Sequence, residues 1–218
     1  MPHGRPHKRP VSTIVYVLIA FCIGLALGRY RESRYQNRGE ALLSRAVRAN
    51  FAPPDYHLLN HVTLPLKDGS TQVDHILVSR FGVFVIETKD YKGWIFANPK
   101  QGIWTQVIFK SKFRFQNPIF QNLRHVRAVQ DLLDFLPPEA VLSTVVFTGD
   151  AEFKTEIPPG VFALSRFIDH VRETTTEVMS INRLQFCVGR LETARLAISG
   201  KTDVEHVQSL ERRHGSAA

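Results

Sequence analysis

The stretch TQVDHILVSRFGVFVIETKDYKG, residues 71–93, decides the fold of this chain. Two runs rich in Val, Ile and Phe lie on either side of residues 80–81, and each has the length and composition of a β-strand. The short segment between them predicts an antiparallel hairpin. Asp74, Glu87 and Lys89 interrupt the apolar runs, although an uncompensated buried charge costs several kcal/mol.

The predicted hairpin places the three charged side chains on one face of the sheet. A turn at residues 80–81 pairs Asp74 with Glu87, and a loop that differs by two residues pairs Asp74 with Lys89. Opposed carboxylates about 5 Å apart repel by roughly 3 kcal/mol at an effective dielectric constant of 20, and one lysine cannot neutralise two acids. The cluster therefore predicts a hard divalent cation, Mg²⁺ or Mn²⁺, that Asp74 and Glu87 hold and an anionic substrate completes.

Lys89 and Glu40 would support this site. Beside the ion, Lys89 would orient or activate an attacking water, or stabilise charge on a phosphate. Glu40 borders the apolar face of the first predicted helix and would reach the sheet rather than water. The plainer alternative is an ordinary ion pair of Glu87 with Lys89 and a surface acid at Asp74. The spacing does not decide between the two, because a D…ExK pattern is short and frequent by chance.

The composition is that of an ordinary folded domain. The chain has 218 residues, of which 44% are hydrophobic and 22% charged, and this leaves room for one sizeable core. Its net charge of +8 suits a polyanion or an anionic membrane surface without requiring either. The two cysteines, Cys22 and Cys187, offer neither a disulfide framework nor a zinc-ligand spacing, so no zinc is expected.

An apolar segment near the N-terminus predicts a membrane anchor. VSTIVYVLIAFCIGLALG, residues 11–28, carries no charge and is long enough to cross a hydrocarbon core of about 30 Å. It lies between a basic tail, residues 1–10, and a basic linker, residues 29–37. A cleaved signal peptide is the alternative. Basic residues flank both ends, and their balance leans towards a single-pass protein whose C-terminal domain is cytoplasmic.

The remaining pattern predicts an α/β sheet flanked by helices. A helix over residues 39–51 ends at a Pro-Pro pair. Asn117 and Pro118 resemble the N-cap and first position of a second helix, which would run to about residue 136. Strands are predicted over residues 56–64, 71–78, 82–89, 103–115 and 141–149, and further helices near residues 164–172, 181–197 and 203–212.

Aromatic and cationic residues alternate at the end of the fourth predicted strand. Phe109, Phe113 and Phe115 alternate with Lys110, Lys112 and Arg114. In one interpretation the phenylalanines are core, and the cations form a solvated face that contacts nucleic-acid phosphates without reading sequence. In the other, these residues join Trp94 and Trp104 in a stacking and phosphate-tracking surface.

Several motifs together resemble the nuclease-related domain (NERD) family, which is similar in turn to the restriction-endonuclease-like PD-(D/E)xK superfamily. The resemblance covers residues 38–155 and leaves residues 156–218 as a helical C-terminal extension. One departure is that Val73, and not proline, precedes Asp74. The motifs are Arg38-Gly39-Glu40, the run at 71–95, WTQ at 104–106, FQNPIFQN at 115–122 and VVFTGDAEFK at 145–154.

The resemblance implies an α-β-β-β-α-β core in which Asp74 and Glu87 bind the metal and Lys89 is the catalytic lysine. It also implies that Glu40 is the helix acid and that Gln121 touches substrate or metal-bound water. Two hypotheses follow: a membrane-anchored, Mg²⁺-dependent nuclease that hydrolyses DNA, and a non-catalytic nucleic-acid-binding or scaffold protein with the same fold. The intact set of acids and lysine favours the enzyme.

Overall fold

The computed structural model describes residues 37–66 and 69–195. Within these ranges the chain is a mixed α/β fold with four α-helices and nine strands. No helix in the described ranges is long and apolar enough to cross a membrane, and the predicted anchor, residues 11–28, lies outside them. The helices are α1 (Arg38–Asn50), α2 (Pro118–Leu132), α3 (Leu164–Glu173) and α4 (Ile181–Ala194). The strands are β1 (Tyr56–Leu66), β2 (Gly69–Ser79), β3 (Gly82–Lys89), β4 (Gly93–Phe96), β5 (Ile103–Ile108), β6 (Ser111–Gln116), β7 (Val141–Phe147), β8 (Ala151–Phe153) and β9 (Val161–Ala163).

The larger sheet has five strands in the order β1-β2-β3-β7-β9. Strands β1, β2 and β3 are antiparallel neighbours, and β7 and β9 add in parallel to β3. The chain thus runs from α1 through three strands and α2 to β7, in the predicted order. Strands β3 and β7 are almost continuously apolar because the sheet is covered on both faces.

The predicted hairpin is confirmed. Ser79 pairs with Gly82 and His75 pairs with Ile86, so the turn falls at residues 80–81. Gly82 has a left-handed φ of 151°, and its missing Cβ leaves room for the side chain of Leu142, which would otherwise lie 3.1 Å away. Alternation then sends Leu77 and Phe84 to one face of the sheet and Ile76 and Val85 to the other.

Each face of the sheet is covered by two helices. Leu43 and Val47 of α1 and Phe167 of α3 pack against Leu77 and Phe84. On the other face, α2 and α4 pack against Ile76, Val85 and their neighbours. Asn117 caps α2 as predicted, since its Oδ1 accepts from the Ile119 backbone N–H at 2.9 Å. The helix ends at Leu132, one turn earlier than expected.

A second sheet, with the strand order β6-β5-β4-β8, corrects the prediction of one strand over residues 103–115. Phe109 has a left-handed φ of 53°, so the chain reverses there and β6 returns antiparallel to β5. The interpretation that buries the phenylalanines is also wrong. Phe109 is 97% exposed and Phe113 is 50% exposed, whereas Phe115 packs on Tyr91 and Trp104. Phe109 lies in the turn and Phe113 on the edge strand β6, where no helix or strand of the described ranges covers their rings.

The buried His75 is expected to make the fold acid-sensitive. Burial above all, and then His61 and Arg48, lower the pKa of His75 to about 3. Its Nδ1 donates to Asn60 Oδ1 at 2.8 Å. Below the ordinary histidine pKa of about 6.5, His75 binds a proton in the unfolded chain but stays neutral in the folded chain. The free energy of unfolding therefore falls as the pH drops from about 6.5 towards 3, by up to about 1.4 kcal/mol per pH unit.

His75→Gln keeps a donor for Asn60 and removes this titration. Urea unfolding of residues 38–218 between pH 7 and pH 5 should show a shallower pH dependence for His75→Gln than for the wild type. His57→Gln, a half-buried histidine on β1, is the control and should keep the wild-type slope. Equal slopes for the wild type and His75→Gln would contradict the assignment.

Candidate active site

The site begins where the ladder between β2 and β3 stops. The last backbone pair is His75 with Ile86. One step further on, the Asp74 side chain takes the place of a strand partner, and its Oδ2 accepts from the backbone N–H of Thr88 at 2.8 Å. The carboxylate is thereby held between the two strands. Its position depends on the hairpin register, since a slip of one residue would turn Asp74 to the other face.

Lys89 lies at the end of β3 and joins the sheet to helix α2. Its Nζ donates to Glu87 Oε1 at 2.6 Å and to Gln121 Oε1 at 3.1 Å. Glu87 is 3% exposed, and Gln121 is half-buried on the first turn of α2. The structure therefore brings Asp74, Glu87, Lys89 and Gln121 together, as the sequence analysis expected.

His125 completes this group and was missed by the sequence analysis. Its Nε2 lies 3.3 Å from Glu87 Oε2, and its Nδ1 lies 2.8 Å from the Thr71 hydroxyl. Because a hydroxyl can either donate or accept, Thr71 leaves Nε2 able to carry the proton that faces Glu87. The spacing from Gln121 to His125 is i, i+4, which places both on one face of α2. That spacing was the available signal.

Glu40 approaches the site from α1, on the other side of the sheet. It is buried, and its Oε2 lies 3.4 Å from His61 Nε2. His61 falls between the pairs Asn60–His75 and Val62–Val73, so it stands beside Asp74 in the register of β1 and β2. Its left-handed φ of 49° interrupts the ladder at that point. The prediction that Glu40 reaches the sheet rather than water is confirmed.

The pKa values of Asp74 and Glu87 are shifted in opposite directions by their surroundings. Burial first, and then the charge of Glu87, raise the pKa of Asp74 well above its ordinary value, with Glu40 adding to the effect. Burial opposes ionisation of Glu87 too, but hydrogen bonds and charge from His125 and Lys89 outweigh it and lower the pKa of Glu87. Glu87 in turn outweighs the burial of Lys89 and raises the lysine pKa. Glu87 and Lys89 are thus a charged pair, and the surroundings of Asp74 oppose a negative charge on its carboxyl group.

The donor chemistry of this cluster fits a hard divalent cation. Three acids, Asp74, Glu87 and Glu40, influence one another, while a single lysine lies among them. Two carboxylates are enough for Mg²⁺, which keeps several waters and binds substrate phosphate oxygens. In the described part of the chain no three His, Cys, Asp or Glu side chains form a ready-made ligand set. Such an ion would therefore depend on water and substrate for most of its ligands.

The predicted phosphate-contacting residues lie elsewhere in the fold. Lys112 and Arg114 are exposed on β6, at the edge of the second sheet, and Lys110 is exposed in the turn that precedes it. Trp104 is buried, and its Nε1 donates to Asn98 O, whereas Trp94 is 47% exposed. Of the two tryptophans, only Trp94 can belong to that surface, since Trp104 belongs to the core.

Sequence comparisons agree with this architecture. The chain is 43% identical over 97 residues to an uncharacterized protein of Bacillus anthracis. This match covers 44% of the chain and 45% of the relative, so the chain spans less than half of the relative's length. No solved structure matches the chain. Residues 35–148, just over half of the chain, match the nuclease-related domain family. With the expected acids and lysine meeting at the end of one hairpin, this chain belongs to the nuclease-related domain (NERD) family.

Proposed function

We propose that the protein is a metal-dependent nuclease that hydrolyses phosphodiester bonds in DNA. The observation that carries the proposal is the meeting of Asp74, Glu87, Lys89 and Gln121 at the end of β3. The elements α1, β1–β3, α2 and β7 follow one another in the order implied by the resemblance to a restriction-endonuclease-like core, with β4–β6 inserted between β3 and α2. This order supports the proposal.

Asp74 and Glu87 would hold Mg²⁺ or Mn²⁺, which supplies Lewis-acid stabilisation of the phosphate when bound. The ammonium group of Lys89, fixed by Glu87 and Gln121, would orient the attacking water or stabilise charge that develops on the phosphate oxygens. Gln121 would also contact substrate or water through its remaining amide donors. Glu40 would support the cluster through His61, and His125 would fix the orientation of Glu87.

The cellular setting is a separate part of the proposal. The uncharged segment at residues 11–28 would tether the domain to a lipid bilayer, with the domain in the cytoplasm. The exposed cations Lys110, Lys112 and Arg114 would contact phosphates of the nucleic acid. A non-catalytic binding protein is the second candidate. It is favoured by the ion pairing of Glu87, which already has Lys89 and His125 as partners.

A cleavage assay separates the two candidates. The chain lacking residues 1–37 should cleave DNA with Mg²⁺ or Mn²⁺ and stop when EDTA is added. Lys89→Ala should lower the rate by about 10²–10³-fold, the loss typical of removing one group that stabilises developing charge. Lys100→Ala, an exposed lysine in the β4–β5 connection, is the matched control. DNA binding without cleavage in every metal tested would leave the non-catalytic alternative.

Removing the charge of Asp74 should stabilise the metal-free fold. Asn at this position keeps an oxygen that accepts from Thr88 N–H but no longer repels Glu87. We expect Asp74→Asn to raise the free energy of unfolding in EDTA by on the order of 1 kcal/mol and to abolish cleavage. Mg²⁺ should raise the melting temperature of the wild type and not of the variant. Asp134→Asn, an exposed acid after α2, should change neither quantity.

The cations of β6 should contribute affinity without sequence preference. Replacing Lys110, Lys112 and Arg114 by Gln should weaken binding equally for unrelated DNA sequences. The dependence of log K on log salt concentration should become shallower by up to about 0.9 for each phosphate that the variant no longer neutralises. A triple Gln variant at Arg45, Arg127 and Arg183, exposed residues of the helices, changes the net charge equally. The proposed contact surface would be refuted if both triple variants shifted the slope alike.

A further inference from the structure

A cleft of about 440 Å³ opens beside the candidate active site, between β4 and the turn that joins β5 to β6. Its lining includes Lys92, Trp94, Phe109 and Asp150. This volume lies within the range of small-molecule sites. The walls combine two aromatic rings with one positive and one negative side chain. None of these four side chains has a role in the proposed catalysis.

The two rings are exposed to an unusual degree. Phe109 is 97% exposed and Trp94 is 47% exposed. Phe109 also adopts a left-handed φ of 53°, a conformation that costs a bulky residue free energy and that a glycine would adopt without cost. Phenylalanine at this turn therefore stabilises neither the backbone conformation nor the hydrophobic core. The ring is therefore best explained by a ligand that it contacts.

The cleft is rigidly connected to the catalytic strand. Lys92 follows Lys89 by three residues, so their Cα atoms lie within about 10 Å of each other. Thr148 N donates to Lys89 O at 3.0 Å, and Gly93 N donates to Asp150 O at 3.1 Å. The short segment from Thr148 to Asp150 thus ties one wall of the cleft to the end of β3. A distance of about 10 Å corresponds to roughly three nucleotide steps of 3.4 Å along a helical strand.

The floor of the cleft is fixed by a close backbone approach. Gly93 has a φ of 78°, and a Cβ on it would lie 2.5 Å from the carbonyl oxygen of Val107. Strands β4 and β5 therefore pass closer here than any side chain would allow. Just after β8, Lys154 places its Nζ 4.8 Å from the centroid of the Trp94 ring. This cation–π contact holds the indole in place, and the same indole lines the cleft.

We infer that this cleft binds an unpaired nucleobase of a single-stranded segment or frayed end, within a few nucleotides of the phosphate that the proposed active site would cleave. Aromatic faces interleaved with cations are the usual surface for single strands, because every base has a π-face and every step has a phosphate. Trp94 and Phe109 supply the faces. Lys92 in the wall, and Lys110 exposed in the adjoining turn, supply the positive charge. Asp150 can accept from a ring N–H, as in thymine, or from the exocyclic amine of another base, and would repel an anionic lipid headgroup. The link to cleavage rests on the proposed function, whereas base binding does not.

Trp94 provides a direct readout, since the chain has two tryptophans and the other, Trp104, is 1% exposed. The full chain in neutral detergent micelles with EDTA is titrated with a twelve-residue oligodeoxythymidylate, its ribo-counterpart and a blunt duplex. We expect saturable quenching of the Trp94 emission by both single strands and little by the duplex. Anionic phospholipid vesicles are titrated in parallel.

Variants test the cleft by the anisotropy of a labelled single strand. Phe109→Ala removes a ring that contributes nothing to the core, and we expect a loss of affinity of about 5- to 100-fold, as for one base stacked on an aromatic side chain. Trp94→Phe should retain much more affinity than Trp94→Ala. Phe186→Ala, which removes a ring that is 55% exposed on α4, is the matched control and should bind like the wild type.

The outcomes separate this inference from the proposed function. Wild-type affinity in both Phe109→Ala and Trp94→Ala, no binding of any oligonucleotide, or quenching by vesicles alone would overturn the inference, whether or not the protein cleaves DNA. Saturable quenching together with weak binding by Phe109→Ala would uphold it even if no metal supports cleavage. In that case the inference that the cleft binds a nucleobase is upheld, and the proposal of nuclease activity is refuted.

Discussion

The hydrogen bond from Thr88 N–H to the Asp74 carboxylate is the contact on which the site depends. It occurs where β2 and β3 stop pairing, so a side chain satisfies a backbone group that would otherwise be buried without a partner. A carboxylate in that position carries charge into the interior of the sheet. Everything that surrounds it, from Lys89 to His125, acts to distribute or balance that charge.

The negative charges of the three acids are only partly balanced by nearby positive charge. Lys89 donates to Glu87 and His125 lies 3.3 Å from it, while burial and two nearby acids raise the pKa of Asp74. A fold that needed only stability would have no reason to keep three acids around one lysine, since well-packed apolar residues would serve as well. The excess negative charge is a cost in the metal-free protein that a divalent cation would relieve. Under the proposed function, this loss of stability would be the cost of a place where a cation and a phosphate can meet.

The two sheets differ in what they position. The five-stranded sheet, with two helices on each face, fixes the acids and lysine because its register and layers allow no slip. The second sheet packs against β7 and β9 through Ile95 and Trp104, and it leaves Trp94, Phe109 and the β6 cations facing outwards. The short connection from Lys89 to Gly93 joins the charged cluster to the exposed face of the second sheet. A single run of chain, residues 82–96, therefore contributes to both.

Sequence alone determined the hairpin, the side on which its charges lie, the cap of α2 and the inward position of Glu40, because these follow from strand alternation, turn chemistry and helical spacing. It also identified the family, whose motifs extend over most of the pairing strands. Tertiary structure alone decided three things: that residues 103–115 reverse at Phe109, that His61 and His125 reach the acids, and that Phe109 and Phe113 lie exposed. The physical reason is that alternation fixes which side of a strand a residue occupies, but not whether another layer covers that side. The pairing of β6 with β5 depends on the left-handed backbone at Phe109, a conformation that local sequence patterns do not predict. The approach of α2 to Glu87 joins segments that are distant in sequence, so no local pattern predicts it either.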